Sequence, residues 1–209
     1  HLTDRGMGVF LIMRGPGGFD GGRVCDGLVS QIDLFPTICE SLQIEAPLWL
    51  QGTSLMPLVR GEAEEVNEQV FGEVSYHAAY EPQRAVRTRR WKNIRRYDDE
   101  KTTPVLPNCD ESEAKSVWLA HGWPERPVPV EQLYDLVFDP NESHNLIGAD
   151  GQVSDEEAAA ALEDLRGRLA HWMEETDDPL LEGPVPAPSG ARINDKHGQS
   201  PGQEPKVQP

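Results

Sequence analysis

The residues able to do chemistry fall into a basic run, a His–Tyr–Glu group just ahead of it, and three scattered cysteines. From Arg84 to Arg96, seven of thirteen residues are Lys or Arg. A guanidinium presents a planar fork matched to sulfate or carboxylate, which makes Arg84 a candidate for gripping an anion. Alternating Arg on a short hairpin is more commonly a solvated face. His77 can hydrogen-bond a hydroxyl or a carboxylate in either protonation state. With Tyr80 and Glu81 it makes the best recognition cluster in the chain, next to the candidate Arg84, although an ordinary loop histidine fits the same residues.

Other chemistry is poorly supported. Cys25, Cys39 and Cys109 are odd in number and widely spaced, which suggests neither a disulfide framework nor a zinc site, and they read as buried thiols. Asp98-Asp99-Glu100 follows a basic strand and opens a proline-broken loop, a solvated charge cluster rather than a calcium site. No metal ligand is assigned. His121, His144, His171 and His197 share no ligating spacing. Gly15 to Gly22 lacks the lysine of a phosphate loop and the spacing of a dinucleotide turn. No Ser-His-Asp order or paired-carboxylate site is evident.

Nineteen basic against 36 acidic residues give a net charge of −17, which argues against nucleic acid or an anionic membrane as partner. One basic hairpin without interleaved aromatics is a poor nucleic-acid footprint. No stretch approaches the roughly 20 apolar residues of a membrane span. The chain opens HLTDRGMGV, without an initiator Met or a leader, so its compartment is not legible and its true start is expected to lie upstream.

Several elements must position these residues. Val9 to Met13 is a short apolar run ending in Arg14-Gly-Pro-Gly-Gly18, which predicts a buried parallel strand running into a loop. Ile32, Phe35, Ile38, Cys39 and Leu42 recur at helical spacing within Val29–Ile44, with Asp33 as cap and Pro36 in the first turn. Strand followed by helix reads as the last unit of an α/β layer. Residues 45–69 form a connector anchored by Leu55, Met56, Leu58 and Val59. From Val70 the texture changes to short strands, VFGEVSYH, RAVRTRRWKNIRRY and EQLYDLVF, which suggest a small antiparallel sheet. Asp98 to Val130 is too long for an ordinary hairpin loop. Ser154-Asp-Glu-Glu157 is a capping-box pattern opening a helix over about 154–176, with Trp172 as a core anchor. The predicted organisation is therefore 1–69, an α/β unit with its connector; 70–182, an antiparallel-sheet subdomain covered by a helix; and 183–209, a weakly ordered tail.

The segment LYDLVFDPNESHNL, residues 133–146, resembles the closing motif of the sulfatases. DRGMGVFLIMRGPGG, VSQIDLFPTICESLQI with LQGTSLMPLVRG, and RAVRTRRWKNIRRYD fit the same family in the same order, and together these stretches span residues 1 to about 178. VFGEVSYH, Gly122-Trp123 and HWMEETDDP are most similar to the heparan N-sulfatase branch. Phe10 departs from the Pro that commonly follows Val in the family. The resemblance implies the C-terminal fragment of an alkaline-phosphatase-like α/β sandwich plus a small antiparallel-sheet subdomain. It also places His77 at a family histidine on a loop leading toward the active-site mouth, and gives the Leu-Tyr-Asp-Leu motif a structural role.

In that family a Cys or Ser within Cys/Ser-x-Pro-x-Arg becomes formylglycine and attacks sulfur, assisted by calcium on carboxylate and amide ligands. The contexts of Cys25, Cys39 and Cys109 lack that Pro and Arg. The calcium ligands and a sulfate-gripping Lys or Arg are expected upstream of His1. The resemblance therefore implies a full-length enzyme that hydrolyses sulfate esters or sulfamates of an anionic carbohydrate, with residues 1–209 inactive alone and prone to some aggregation. Two alternatives stand beside it: a non-catalytic module binding sulfated glycans through the Arg84–Arg96 hairpin, and part of a superfamily phosphodiesterase or phosphatase.

Overall fold

The computed structural model describes residues 1–19, 21–98, 100–201 and 205–207. Asp99, in the acidic cluster, lies outside them. In chain order the regular elements are α1 (Asp4–Met7), α2 (Leu34–Ser41), α3 (Met56–Arg60), β1 (Val70–Tyr76), β2 (Tyr80–Arg87), β3 (Trp91–Arg96), α4 (Glu113–Ala120), β4 (Glu131–Asp135), α5 (Glu156–Glu175), β5 (Arg192–Ile193) and β6 (Lys206–Val207). Short 3-10 turns lie between them.

The body is an antiparallel sheet in the order β1-β2-β3-β4. Phe71 pairs with Val86, Val86 with Asn93, and Asn93 with Leu133, which sets all four on one face. Over that face lies α5, whose Ala158, Leu162, Leu165, Leu169 and Met173 enclose Val86 and Leu133. Each such leucine contributes about 1.5–3 kcal/mol by leaving water. Trp172 stacks on Phe71 with ring centroids 4.8 Å apart. The cap of α5 is Asp155, which accepts from Ala158 N at 2.8 Å, one residue later than the Ser154 pattern predicts. A carboxylate there also meets the positive end of the helix dipole.

The opposite face carries Ala85, Ile94, Tyr134 and Val74, and the N-terminal turn covers it through Leu2 and Met7. A Cβ at Gly72 would lie 2.6 Å from Met7 Cε, so a larger residue there would displace the end of the Met7 side chain.

The region before β1 departs from expectation in two ways. Val9–Met13 is not a strand, and Val9, Phe10 and Ile12 are largely exposed. A strand exists only as part of a hydrogen-bonded ladder, and among the described residues none runs beside this segment. It lines instead an open cleft of about 990 Å³, together with Leu55 and Leu58. The second departure is α2, which is shorter than predicted and is preceded by a 3-10 turn at Gln31–Asp33. Asp33 stands at its N-cap position but makes no side-chain capping bond to it. Its buried carboxylate accepts from Ser30 N (2.7 Å), Thr53 N (2.8 Å) and Asn67 Nδ2 (2.8 Å), which ties the connector to the helix entry. Leu55, Met56 and Leu58 are buried as anchors, whereas Ile32, Phe35, Ile38 and Leu42 face outward.

Candidate functional site

The candidate cluster sits where β1 turns into β2. A register shift between Val74 and Tyr76 lets Tyr76 pair with Tyr80. This leaves His77–Ala79 as a three-residue turn, so Tyr80 and Glu81 belong to a strand rather than to a long loop. The two tyrosine rings lie 4.8 Å apart. Tyr76 OH donates to Val185 O at 2.8 Å and Val185 N donates to Tyr80 OH at 3.1 Å, so the pair clamps the chain after α5. Burial, and secondarily the neighbouring Tyr80, raise the Tyr76 pKa and keep its hydroxyl a donor.

The turn backbone is fixed from both sides. Ala79, fully buried, donates its N–H to Asn108 Oδ1 at 2.7 Å and accepts from Asn108 Nδ2 at 3.3 Å. Asn194 N donates to Ala78 O at 2.8 Å. The segment beyond residue 183, expected to be weakly ordered, thus supplies partners to this turn. His77 is exposed on this braced frame, and its side chain has no hydrogen-bond partner among the described residues. Its imidazole is the free donor and acceptor of the cluster.

Tyr80, Glu81 and Arg84 are engaged elsewhere. Glu81 accepts from Asn108 Nδ2 at 2.9 Å and lies 3.7 Å from Arg96 Nη2. Arg84, 1% exposed, lies on the α5 face and forms a fork on Asp178, with Nε–Oδ2 at 2.5 Å and Nη2–Oδ1 at 2.9 Å. Its Nη1 donates to Val74 O and Gln83 O. All five N–H groups are directed into the protein or its β1 edge, which gives Arg84 a structural role. The strand period explains this: a two-residue repeat puts Arg84 on the face of Val86, beneath the end of α5.

Most of the basic run is paired with the chain's own acids. Arg87 and Lys92 meet Asp4, Lys92 also meets Glu142, Arg90 meets Asp135 and Glu157, and Arg89 meets Glu65. Arg95, by contrast, lies over the Tyr97 ring. Sequence reasoning passed over Asn108 and Asn194, which brace the turn, because a lone asparagine in a long loop carries no periodic signal. Arg96, the end of that basic run, is buried and keeps Nε and Nη2 without hydrogen-bond partners among the described residues.

Among the described residues no group of three or more His, Cys, Asp or Glu is arranged to hold a metal ion. Cys25 is exposed, Cys39 buried and Cys109 intermediate, all as free thiols. This donor set does not fit a calcium–formylglycine centre.

The family model described as N-sulphoglucosamine sulphohydrolase, C-terminal, matches residues 1–121, more than half of the chain. An ulvan-active sulfatase from Formosa agariphila is 30% identical over 206 residues, an alignment that takes in 91% of this chain and 39% of the relative. Human N-sulphoglucosamine sulphohydrolase is 30% identical over 190 residues, covering 78% of this chain and 36% of the relative. The chain thus spans well under half the length of these relatives. A solved 2-O GAG sulfatase superposes with a TM-score of 0.52 at 23% identity, over 81% of this chain and 31% of that one, a likeness of fold. From the matched residues and the two relatives, the chain belongs to the N-sulphoglucosamine sulphohydrolase C-terminal family and is a C-terminal sulfatase portion.

Proposed function

We propose that this chain is the substrate-recognition side of a sulfatase that hydrolyses sulfate esters or sulfamates of an anionic carbohydrate. In this reading the formylglycine nucleophile and the calcium-binding residues come from a longer protein, and residues 1–209 alone turn over no sulfate ester. Calcium would offset the sulfate charge when bound. No step of this chain's residues runs through it, because no donor set among the described residues fits it.

The observation that carries the reading is His77, exposed and free on a turn held by Asn108, Asn194 and the Tyr76–Tyr80 pair. A rigid frame around one free imidazole suits the orientation of a sugar hydroxyl or carboxylate, because little conformational freedom is lost when the ligand binds. Tyr80 and Glu81 then act by holding the frame.

The test is His77→Ala in the longer enzyme. A hydrogen bond to a charged group contributes about 1.5–3 kcal/mol, so KM toward a sulfated glucosamine is expected to rise about 10- to 100-fold, with kcat changed much less. An unchanged KM would remove His77 from recognition. Absence of sulfate release by the unmutated longer enzyme would remove the sulfatase reading itself.

A further inference from the structure

The excursion between β3 and β4 carries a helix that is turned inside out. An amphipathic helix buries its apolar stripe. In α4 the buried residue is Lys115, whereas Val117 is 59% and Trp118 51% exposed. Lys115 Nζ is held by Leu106 O (3.1 Å), Cys109 O (2.7 Å), Glu111 Oε1 (2.9 Å) and Gln199 O (2.9 Å), and Ser112 caps the helix through Lys115 N. This polar anchor fixes the rotation of the helix and leaves an indole in solvent.

The chain then returns to that indole. Gly122 takes the left-handed conformation (φ 75°) that lets the backbone reverse, and a 3-10 turn at Trp123–Glu125 follows. It brings the Arg126 guanidinium 5.2 Å from the centroid of the Trp118 ring. Arg126 has no ion-pair partner among the described residues, in a chain whose net charge is −17. His121, exposed at the end of α4, turns its Nδ1 back to Val117 O at 2.7 Å.

We propose that Trp118 and Arg126 form a binding site for a sulfated oligosaccharide, taking the part of the chain beyond the sugar whose sulfate is removed. This rests on the sulfatase reading above. One indole face beside one free guanidinium matches the repeat of such a chain, in which a sugar ring with apolar C–H faces alternates with an anionic group. An apolar protein partner would instead bury Arg126 without a counter-charge, which is unfavourable.

The test measures binding of a heparin tetrasaccharide to the longer enzyme, unmutated and as Trp118→Ala, Arg126→Ala and Trp118→Phe, with circular dichroism to verify folding. Because Trp118 is half exposed and outside both core clusters, the variants are expected to fold. Trp118→Ala and Arg126→Ala are each expected to weaken binding by about tenfold, an effect the size of a single good ring or charge contact. Trp118→Phe is expected to keep most of the affinity, and Arg126→Ala to flatten its dependence on salt. Tetrasaccharide affinity equal to that of the unmutated enzyme in both alanine variants would overturn the site. So would a Trp118 shielded from a soluble quencher in the unliganded longer enzyme, which would mean that other protein covers it. Failure of the sulfatase reading is distinct: the unmutated enzyme would then release no sulfate from any sulfated sugar.

Discussion

Arg84→Ala is expected to lower folding stability by about 3–5 kcal/mol, the range for removing one partner of a buried ion pair. Arg84 and Asp178 side chains are 2% and 1% exposed, so the mutation strands a carboxylate where water cannot reach it. Arg84→Lys is expected to recover only part of the loss, since one ammonium cannot reproduce the two-pronged contact at 2.5 and 2.9 Å. The effect has a defined pH dependence. Burial by itself pushes the Asp178 carboxyl up, but the Arg84 hydrogen bonds, the Leu180 N–H and the Arg84 charge outweigh it and hold it below its ordinary 3.8. A depressed carboxylate pKa contributes stability that is fully present above the unfolded value and is lost as pH falls through the folded one. The gap between unmutated and Arg84→Ala proteins in urea unfolding is therefore expected to be full near neutrality and to shrink as pH falls toward and below 3.8, first because the stranded carboxyl of the variant takes up a proton and then because the paired one does. A loss under about 1 kcal/mol at neutral pH would contradict the assignment.

Lys92→Met is expected to produce a loss of similar size, again about 3–5 kcal/mol, for a related reason. Methionine keeps the length of the stem and removes the charge. Lys92 is fully buried, with Nζ 2.8 Å from Asp4 and 2.9 Å from Glu142, whose side chain is 1% exposed. Arg87 shares Asp4 at 3.1 Å, so one carboxylate of the N-terminal turn joins two strands of the sheet. Burial pushes Asp4 up, but Lys92 and then Arg87 outweigh it and leave it lowered. Besides the shifted urea midpoint, amide exchange in Leu2–Met7 is expected to accelerate, because this turn is held to the sheet by Lys92 together with the Leu2 and Met7 contacts. Unchanged exchange there would mean that the apolar contacts alone dock α1.

Much of the candidate site was visible in residue types, but its division of labour was not. His77, Tyr80, Glu81 and Arg84 stand close in sequence, and polarity marks them all as capable of binding. Strand alternation then separates them: Arg84 points under α5 toward Asp178, a residue 94 positions away, while Glu81 turns to Asn108. No local pattern encodes a partner at that distance. The same reason hid the pairing of the Arg84–Arg96 run, whose acids lie at Asp4, Glu65, Asp135, Glu142, Glu157 and Asp178.

By itself the sequence determined the elements whose signals are local. The period of Ala158 to Met173 specified α5, three short segments marked out the antiparallel sheet, the second of which the structure divides into β2 and β3, and four ordered motifs specified the family, because backbone preference and one-sided burial act within a few residues. Only the tertiary structure decided that Val9–Met13 is no strand here, that α4 turns Trp118 outward on a buried Lys115, and that His77 is the free member of its cluster. Those outcomes depend on which long-range partners satisfy each backbone group and each charge, and partner choice is a property of the assembled fold.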